Sequence, residues 1–258
     1  LERLIKVDHT DNTTTITMNR PEKRNALSMD HIAQLTEAFH EASHSQATGI
    51  ILAANGPVFS SGHDFSEMAG KDITYMHTLL SRCAELMLLI GSVPQVVIAR
   101  VHGLATAAGA QLVASCDLAV ASDQAGFAAP GGKGGWFCYT PMVALSRSIG
   151  RKQAFEMAFT GDTIDAHTAL TWGLVNRVVP PQDLESATDD LLGRATRGSA
   201  QSKAAGKRVL GRQLDLEITD AYALAIEAMA GASQTADARE GMDAFLAKRT
   251  PKFGPRPQ

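Results

Sequence analysis

The sequence predicts an α/β fold with a helical C-terminal region, and three features of the chain lead there. Short apolar strands alternate with amphipathic helices along the first half, and helical patterns dominate from Arg151 onward. Between them lies VHGLATAAGAQLVASCD, residues 101–117, a stretch nearly empty of bulky side chains that reads as the end of a strand, a turn at His102-Gly103 and a buried helix. A chain of 258 residues suffices for one large core, or one core with a helical appendage.

In chain order, residues 4–7 and 13–18 read as two strands of a hairpin around the turn 8–12, with Thr13, Thr15 and Thr17 alternating against Ile16 and Met18. A polar loop from Asn19 to Leu27 leads to Ser28, an N-cap for a helix that sets Ile32, Leu35, Ala38, Phe39 and Ala42 on one face and ends near Ser45. Residues 49–53 form a buried strand, 55–64 a loop with a Gly56-Pro57 turn, and 73–90 a long helix stopped by Gly91 and Pro94. An apolar run at Val96, Val97 and Ile98 and a strand at 117–121 flank the small-residue stretch, and 127–136 is a glycine-rich loop. Helical character begins at Thr140. Helices follow at 151–159 and 165–172, stopped by Gly161 and Gly173, then a strand at 174–179, and mainly helix over 182–197, 200–213 and 217–248, before a Pro-rich, basic tail.

The formal net charge of −3 provides no general attraction to nucleic acid or to an anionic membrane, so neither is an expected partner. Cys83, Cys116 and Cys138 are widely spaced and odd in number, which predicts buried, reduced thiols and no disulfide or zinc framework. The apolar stretch after Val96 is interrupted by Arg100, His102, Gln111 and Asp117, so no membrane span is expected. The expected location is cytoplasmic, or the mitochondrial matrix if an upstream transit peptide has been removed.

Three motifs resemble catalytic signatures. His40-Glu41-Ala42-Ser43-His44 matches HExxH, but it falls on the polar face of its helix with no third ligand indicated, so no metal site is expected. The glycines around Lys133 lack the Ser or Thr that a phosphate loop places after its lysine. Ser61, His63 and Asp64 are neighbours in one loop, where side chains diverge too much to form a triad. Better placed is the small-residue helix. Ala105, Ala107, Ala108, Gly109 and Ala110 leave its first N–H groups uncovered, and together with the helix dipole these suit an anionic oxygen, as in an oxyanion hole. The alternative is that small residues there serve close packing alone.

Asn19-Arg20-Pro21 with Asn25-Ala26-Leu27, the block from Phe59 to Asp64, His102-Gly103 through Ala108-Gly109 to Cys116-Asp117, Thr160-Gly161, Gly173-Leu174-Val175, and Glu240-Gly241-Met242 with Phe245 and Lys248-Arg249 occur in an order and spacing that resemble the crotonase family of enoyl-CoA hydratases and isomerases. The resemblance spans nearly the whole chain. It implies a crotonase-like spiral of ββα units with the acyl-CoA site over 1–195, and a C-terminal helical trimerisation region over 196–258 that also closes the pocket. It further implies a homotrimer or dimer of trimers and an acyl-CoA thioester as partner, with no cofactor beyond the coenzyme A carried by the substrate.

By the same resemblance, the backbone N–H groups of His63 and Ala108 form the oxyanion hole, and Arg24, Asn25, Ala26 and Leu27 neighbour the CoA adenine and phosphates. Ser61 and Asp64 border that part of the site, and Lys248 and Arg249 reach it from the C-terminal region, in this chain or a neighbouring subunit. Ser66 stands where many members carry a lysine. The largest departure concerns chemistry: hydrating members carry two glutamates, at the positions here of Gln111 and Gly131. Hydration needs one group to deprotonate water and one to protonate the α-carbon, and neither Gln nor Gly exchanges a proton near neutral pH. His63 becomes the best candidate base, and Trp136 with Phe137 suggests an apolar acyl wall. Two functions follow, an acyl-CoA enzyme of weak or non-standard chemistry in fatty acyl-CoA metabolism, and a non-catalytic acyl-CoA binding or regulatory oligomer.

Overall fold

The computed structural model describes residues 3–10 and 12–255; position 11 of the hairpin turn and positions 256–258 of the Pro-rich tail lie outside the described residues. Strands β1 (Ile5–His9) and β2 (Thr13–Met18) form the expected antiparallel hairpin. Helix α1 (Met29–His44) starts where Ser28 accepts the His31 N–H at 3.2 Å and buries the predicted stripe of Ile32, Leu35, Ala38, Phe39 and Ala42.

Three successive turns of chain then repeat one plan. The first has β3 (Gly49–Ala54), β4 (Val58–Ser60), the short α2 (Phe65–Met68) and α3 (Ile73–Ser92). The second has β5 (Val96–Val101), β6 (Leu104–Thr106) and α4 (Ala108–Ser115), and the third β7 (Leu118–Ser122), β8 (Gly126–Ala128) and α5 (Tyr139–Ser148). Each turn places its first strand in a six-stranded sheet ordered β1-β2-β3-β5-β7-β10 and its second in a four-stranded sheet ordered β4-β6-β8-β9. Within each sheet the strands contributed by these turns run parallel, so the chain is a ββα spiral. The turns are followed by α6 (Arg151–Thr160), β9 (Ile164–Asp165), α7 (Ala166–Trp172), β10 (Arg177–Val179), α8 (Leu184–Thr196), α9 (Ala200–Gln213), α10 (Ile218–Ala232) and α11 (Ala236–Leu246).

The second strand of each turn differs from expectation. β4 lies inside the predicted loop 55–64, β6 separates His102-Gly103 from the helix, and β8 opens the predicted glycine-rich loop. Each is three residues long, too short to show alternation, and their sequences VFS, LAT and GFA carry little strand signature. The long helix runs through Gly91 to Ser92, so Pro94 rather than Gly91 sets its end. Residues 174–176 are not strand, because the Leu174 N–H is taken by Ala169 O at the end of α7. Thr235 caps a new helix by accepting from Ala238 N, which divides the predicted helix 217–248 into α10 and α11.

The three cysteines are free, Cys83 and Cys138 buried and Cys116 half-buried, and burial pushes the Cys83 thiol up to about 12. Among the described residues no helix is long and apolar enough to cross a membrane.

His31, wholly buried in α1, donates from Nδ1 to the Ala26 carbonyl at 3.1 Å, while its Nε2 has no partner. Burial lowers its pKa to about 4, the Ala26 bond opposing only in part. Between about 6.5 and 4 the unfolded chain therefore binds a proton that the folded one does not, and stability falls as pH falls through that window, at roughly 1.4 kcal/mol per pH unit. Urea melts of the protein and of His31→Gln at pH 6.5, 5.5 and 4.5 check this. The loss should be shallower in the variant, and equal slopes would remove His31 as its source.

Candidate active site

Two chain segments meet at the start of α4. Gly109 lies against the Ser60 carbonyl so closely that any Cβ there would collide with it, and a Cβ on Gly62 would stand 3.4 Å from Ala108 N. The loop carrying His63 is thereby held against the helix N-terminus. It is also tied to the Asn25–Leu27 segment: Leu27 N donates to Gly62 O at 2.7 Å and Asp64 N to Leu27 O at 3.2 Å, a parallel bridge that leaves the intervening His63 N–H pointing away from Leu27. Ala108 is the first residue of α4, so its N–H has no acceptor within the helix. Ala107, just before it, has φ 49° and ψ −118°, a conformation costly for a residue with a Cβ, and its N–H is anchored to Ala128 O at 2.9 Å. Such strain at a helix start persists where the surroundings impose it.

Beside this junction opens a cavity of about 640 Å³ lined by Ser61, His63, Thr106 and Ala107 of the junction itself and by Phe65, Met68, Met76, Leu80, Trp136 and Phe137. Pro130, Gly131, Cys138 and Tyr139 complete one wall. Among the described residues no Asp, Glu, Lys or Arg lines it. Both ring nitrogens of His63 are buried without a well-formed hydrogen bond, and burial lowers its pKa, the Leu27 backbone pulling weakly the other way. The imidazole is therefore neutral at pH 7. Gln111, one turn into α4, is buried with its Oε1 unpartnered. Gly131 sits in the 3-10 turn Pro130–Gly132 on the cavity wall, where a Cβ would strike the Trp136 carbonyl and stand 2.8 Å from Cys138 Sγ. Burial raises the pKa of that thiol, the Gly131 backbone partly countering it.

A family model described as enoyl-CoA hydratase/isomerase matches residues 8–256. The chain belongs to the enoyl-CoA hydratase/isomerase family. It is 43% identical to the mitochondrial enoyl-CoA hydratase domain-containing protein 3 of Rattus norvegicus, over 96% of this chain and 84% of that protein. Among solved structures, an enoyl-CoA hydratase of Mycobacterium smegmatis superposes with a TM-score of 0.94 at 44% identity, covering 97% of this chain and 99% of that one. Human enoyl-CoA hydratase domain-containing protein 3 superposes with a TM-score of 0.93 at 41% identity, covering 97% and 100%.

Within this enoyl-CoA hydratase/isomerase fold, the other residues singled out from sequence have different surroundings. Arg24 is exposed, in a left-handed conformation with φ 54°, and its carbonyl accepts the Ser61 N–H at 3.1 Å. Asn25 is buried and engaged within the protein: its Oδ1 accepts from Arg20 N at 2.9 Å and its Nδ2 donates to Asn55 O and Val58 O. Ala26 and Leu27 are buried, and they build the ledge on which the His63 loop rests. Asp64 lies outside the cavity lining, paired with Arg20 at 2.8 Å and capping α2 through Ser66 N at 3.0 Å. Burial pushes its carboxyl up, but the bonds from Ser66 and Arg20 outweigh this and hold it below its ordinary value. Arg249 is bidentate to Glu240, at 2.6 and 2.8 Å, and neither it nor Lys248 lines the cavity. His40 and His44 are exposed on α1, with His44 Nδ1 bonded to the carbonyl of His40 at 2.8 Å.

Trp136 and Phe137 do wall the cavity, as the sequence suggested. Phe65, Met68, Met76 and Leu80 on α2 and α3 were not foreseen. Met76 and Leu80 flank the stripe of Leu79, Cys83, Leu86 and Ile90 that α3 buries in the core, and in sequence they merge with it.

Proposed function

We propose that this protein binds acyl-CoA thioesters with the carbonyl oxygen held by the N–H groups of His63 and Ala108, and that it hydrates enoyl-CoA only weakly. The observation that carries this reading is the cavity itself. It opens beside the His63 loop and the start of α4 and has Gly131 in its wall, while Gln111 is buried one turn into α4, outside the lining, and among the described residues no carboxylate lines the cavity. Two donors fixed by strained and tightly packed backbone would polarise a thioester carbonyl and stabilise negative charge on its oxygen. They supply no proton transfer, which falls to Gln111 as a hydrogen-bonding group, to the neutral His63 imidazole, or to water. Titration calorimetry with saturated acyl-CoAs and free CoA tests the binding. Thioesters should bind more tightly than free CoA, and equal affinities would overturn the reading.

Among the described residues the cavity holds no carboxylate, lysine or arginine, and its ionisable groups are His63, Cys138 and Tyr139, which also favours a second reading, a non-catalytic acyl-CoA binding or regulatory oligomer. Sustained turnover of any thioester would exclude it. On the CoA side, exposed Arg24 is the best placed of the proposed contacts, since the Asn25 side chain is already committed; Lys248 and Arg249 would have to serve a neighbouring subunit's site. The family relationship supports the acyl-CoA substrate, and the names of the mitochondrial relatives support the matrix over the cytoplasm.

A homotrimer or dimer of trimers is proposed on the strength of exposed apolar side chains. On α10, Ile218, Tyr222, Ile226 and Met229 form a stripe, and Phe245 and Leu246 on α11 are 81% and 79% exposed, more apolar surface than a monomer ordinarily leaves in water. Light scattering on a sizing column should give at least three chains per particle, and Tyr222→Glu should lower that number. A wild-type monomer at micromolar concentration would refute the assembly.

A further inference from the structure

Building on the acyl-CoA reading, we infer that the acyl group this cavity accepts is long or bulky, uncharged and apolar along its length, and is neither a four-carbon unit nor an acyl chain ending in a carboxylate. The cavity measures about 640 Å³. A methylene needs about the room of a water molecule, roughly 30 Å³, so a four-carbon acyl group would occupy about 120 Å³, and even with the thioester and the start of the CoA arm, which this open-sided cavity must also admit, room is left over. Cavities of this size ordinarily enclose ligands of several hundred daltons and bury most of their surface.

The chemistry of the walls narrows the class further. The polar groups of Ser61, His63 and Thr106 cluster at the end next to α4, where a thioester carbonyl would sit. Most of the remaining lining is apolar, with Phe65, Met68, Met76, Leu80, Trp136 and Phe137, and Tyr139 and Thr140 among them. Aliphatic and aromatic walls reward each buried methylene, and the two unbranched methionines adapt to chains of different shape. A terminal carboxylate would enter without a countercharge, since among the described residues no Lys or Arg lines the cavity and burial keeps the His63 imidazole neutral. The apolar surface continues past the mouth. Phe159, outside the lining and 68% exposed, packs on the wall residue Phe137 with centroids 6.2 Å apart, so a chain longer than the cavity meets a further aromatic ring on that side.

Calorimetry with butyryl-, octanoyl- and lauroyl-CoA, all below their micellar concentrations, and with the octanoyl analogue bearing an ω-carboxylate tests this on the unaltered protein. Affinity should rise roughly two- to fourfold per added methylene between four and eight carbons, and the carboxylate should weaken octanoyl-CoA binding by at least about tenfold. Leu80→Trp, which reduces the volume of the cavity at one of its apolar walls, should cut the lauroyl-to-butyryl affinity ratio by about tenfold or more. Met76→Trp provides the same test if that variant fails to fold. Affinity independent of chain length, equal binding of the ω-carboxylate, or a ratio unmoved in both folded variants would overturn this inference while leaving the acyl-CoA reading in place. No preference for any thioester over free CoA would overturn both.

Discussion

Crotonyl-CoA should be hydrated by this protein at less than about 10⁻³ per second, against a typical enzyme turnover of roughly 10 per second. The expected deficit follows from the two replaced positions. A general acid or base contributes roughly a hundred- to ten-thousandfold, and with both absent only positioning and oxyanion stabilisation remain. Restoring them is unequal work. Gln111 is buried on the first turns of α4 with an unpartnered Oε1, so Gln111→Glu changes one atom type in a space that already holds a side chain of that length. It should raise hydration by about ten- to a hundredfold, with activity falling at low pH as the carboxylate takes up a proton. Gly131→Glu is different. The position does not have a positive φ, so backbone strain is not the obstacle; the obstacle is that a Cβ would run into the Trp136 carbonyl and Cys138. That variant should melt lower, lose thioester affinity and gain no hydration, and combining it with Gln111→Glu should give less activity than Gln111→Glu alone. A coupled assay following loss of the enoyl chromophore reads all four proteins. Wild-type turnover near 10 per second would refute the roles given to Gln111 and Gly131.

The same contrast shows which features the sequence makes legible. Strands of five or six residues, such as β2, β3 and β5, and helix α1 with its Ser28 cap carry periodicity and end signals within themselves. The three-residue strands β4, β6 and β8 do not, since they are held by neighbours far away in the chain. For the site, motif order brings His63, Ala108, Gln111 and Gly131 to attention, but only space explains why Gly131 must stay small, through Trp136 and Cys138 folding back over it. Asp64 reads in sequence as a neighbour of the CoA part of the site, and the structure commits it to Arg20, 44 positions away. Met76 and Leu80 reach the cavity because α3 passes between core and pocket, so both of its apolar faces are used. Pairings across such separations leave no local trace.

Lys207 is the clearest of these distant pairings, and Lys207→Met should destabilise the protein by about 3 kcal/mol. In sequence it is one more cation on a basic helix. In the fold its Nζ donates to Asp117 Oδ2 at 2.7 Å, to Gln95 O at 3.0 Å and to Ile90 O at 3.2 Å, using all three ammonium protons. Its side chain is only 13% exposed, and α9 contributes no fully buried residue of its own, so this ammonium is a principal link between α9 and the spiral. Asp117 also accepts the Val97 N–H at 2.8 Å at the start of β5. Burial pushes its carboxyl above the ordinary range even with Lys207 and Val97 pulling it down. Removing the cation leaves a half-buried carboxylate with one donor and raises its pKa further. For an acid whose folded pKa lies above its unfolded value, stability is lost as pH rises through the folded pKa. The penalty of Lys207→Met should therefore be larger at pH 8 than at pH 5, which a simple loss of packing would not produce. Adding Asp117→Asn should recover part of the loss at pH 8, because the uncompensated charge is gone. Amide exchange should locate the weakening in α9, α10 and α11, with the sheets unchanged. A pH-independent penalty, or one below about 1 kcal/mol, would reduce the Lys207–Asp117 pair to an ordinary surface contact.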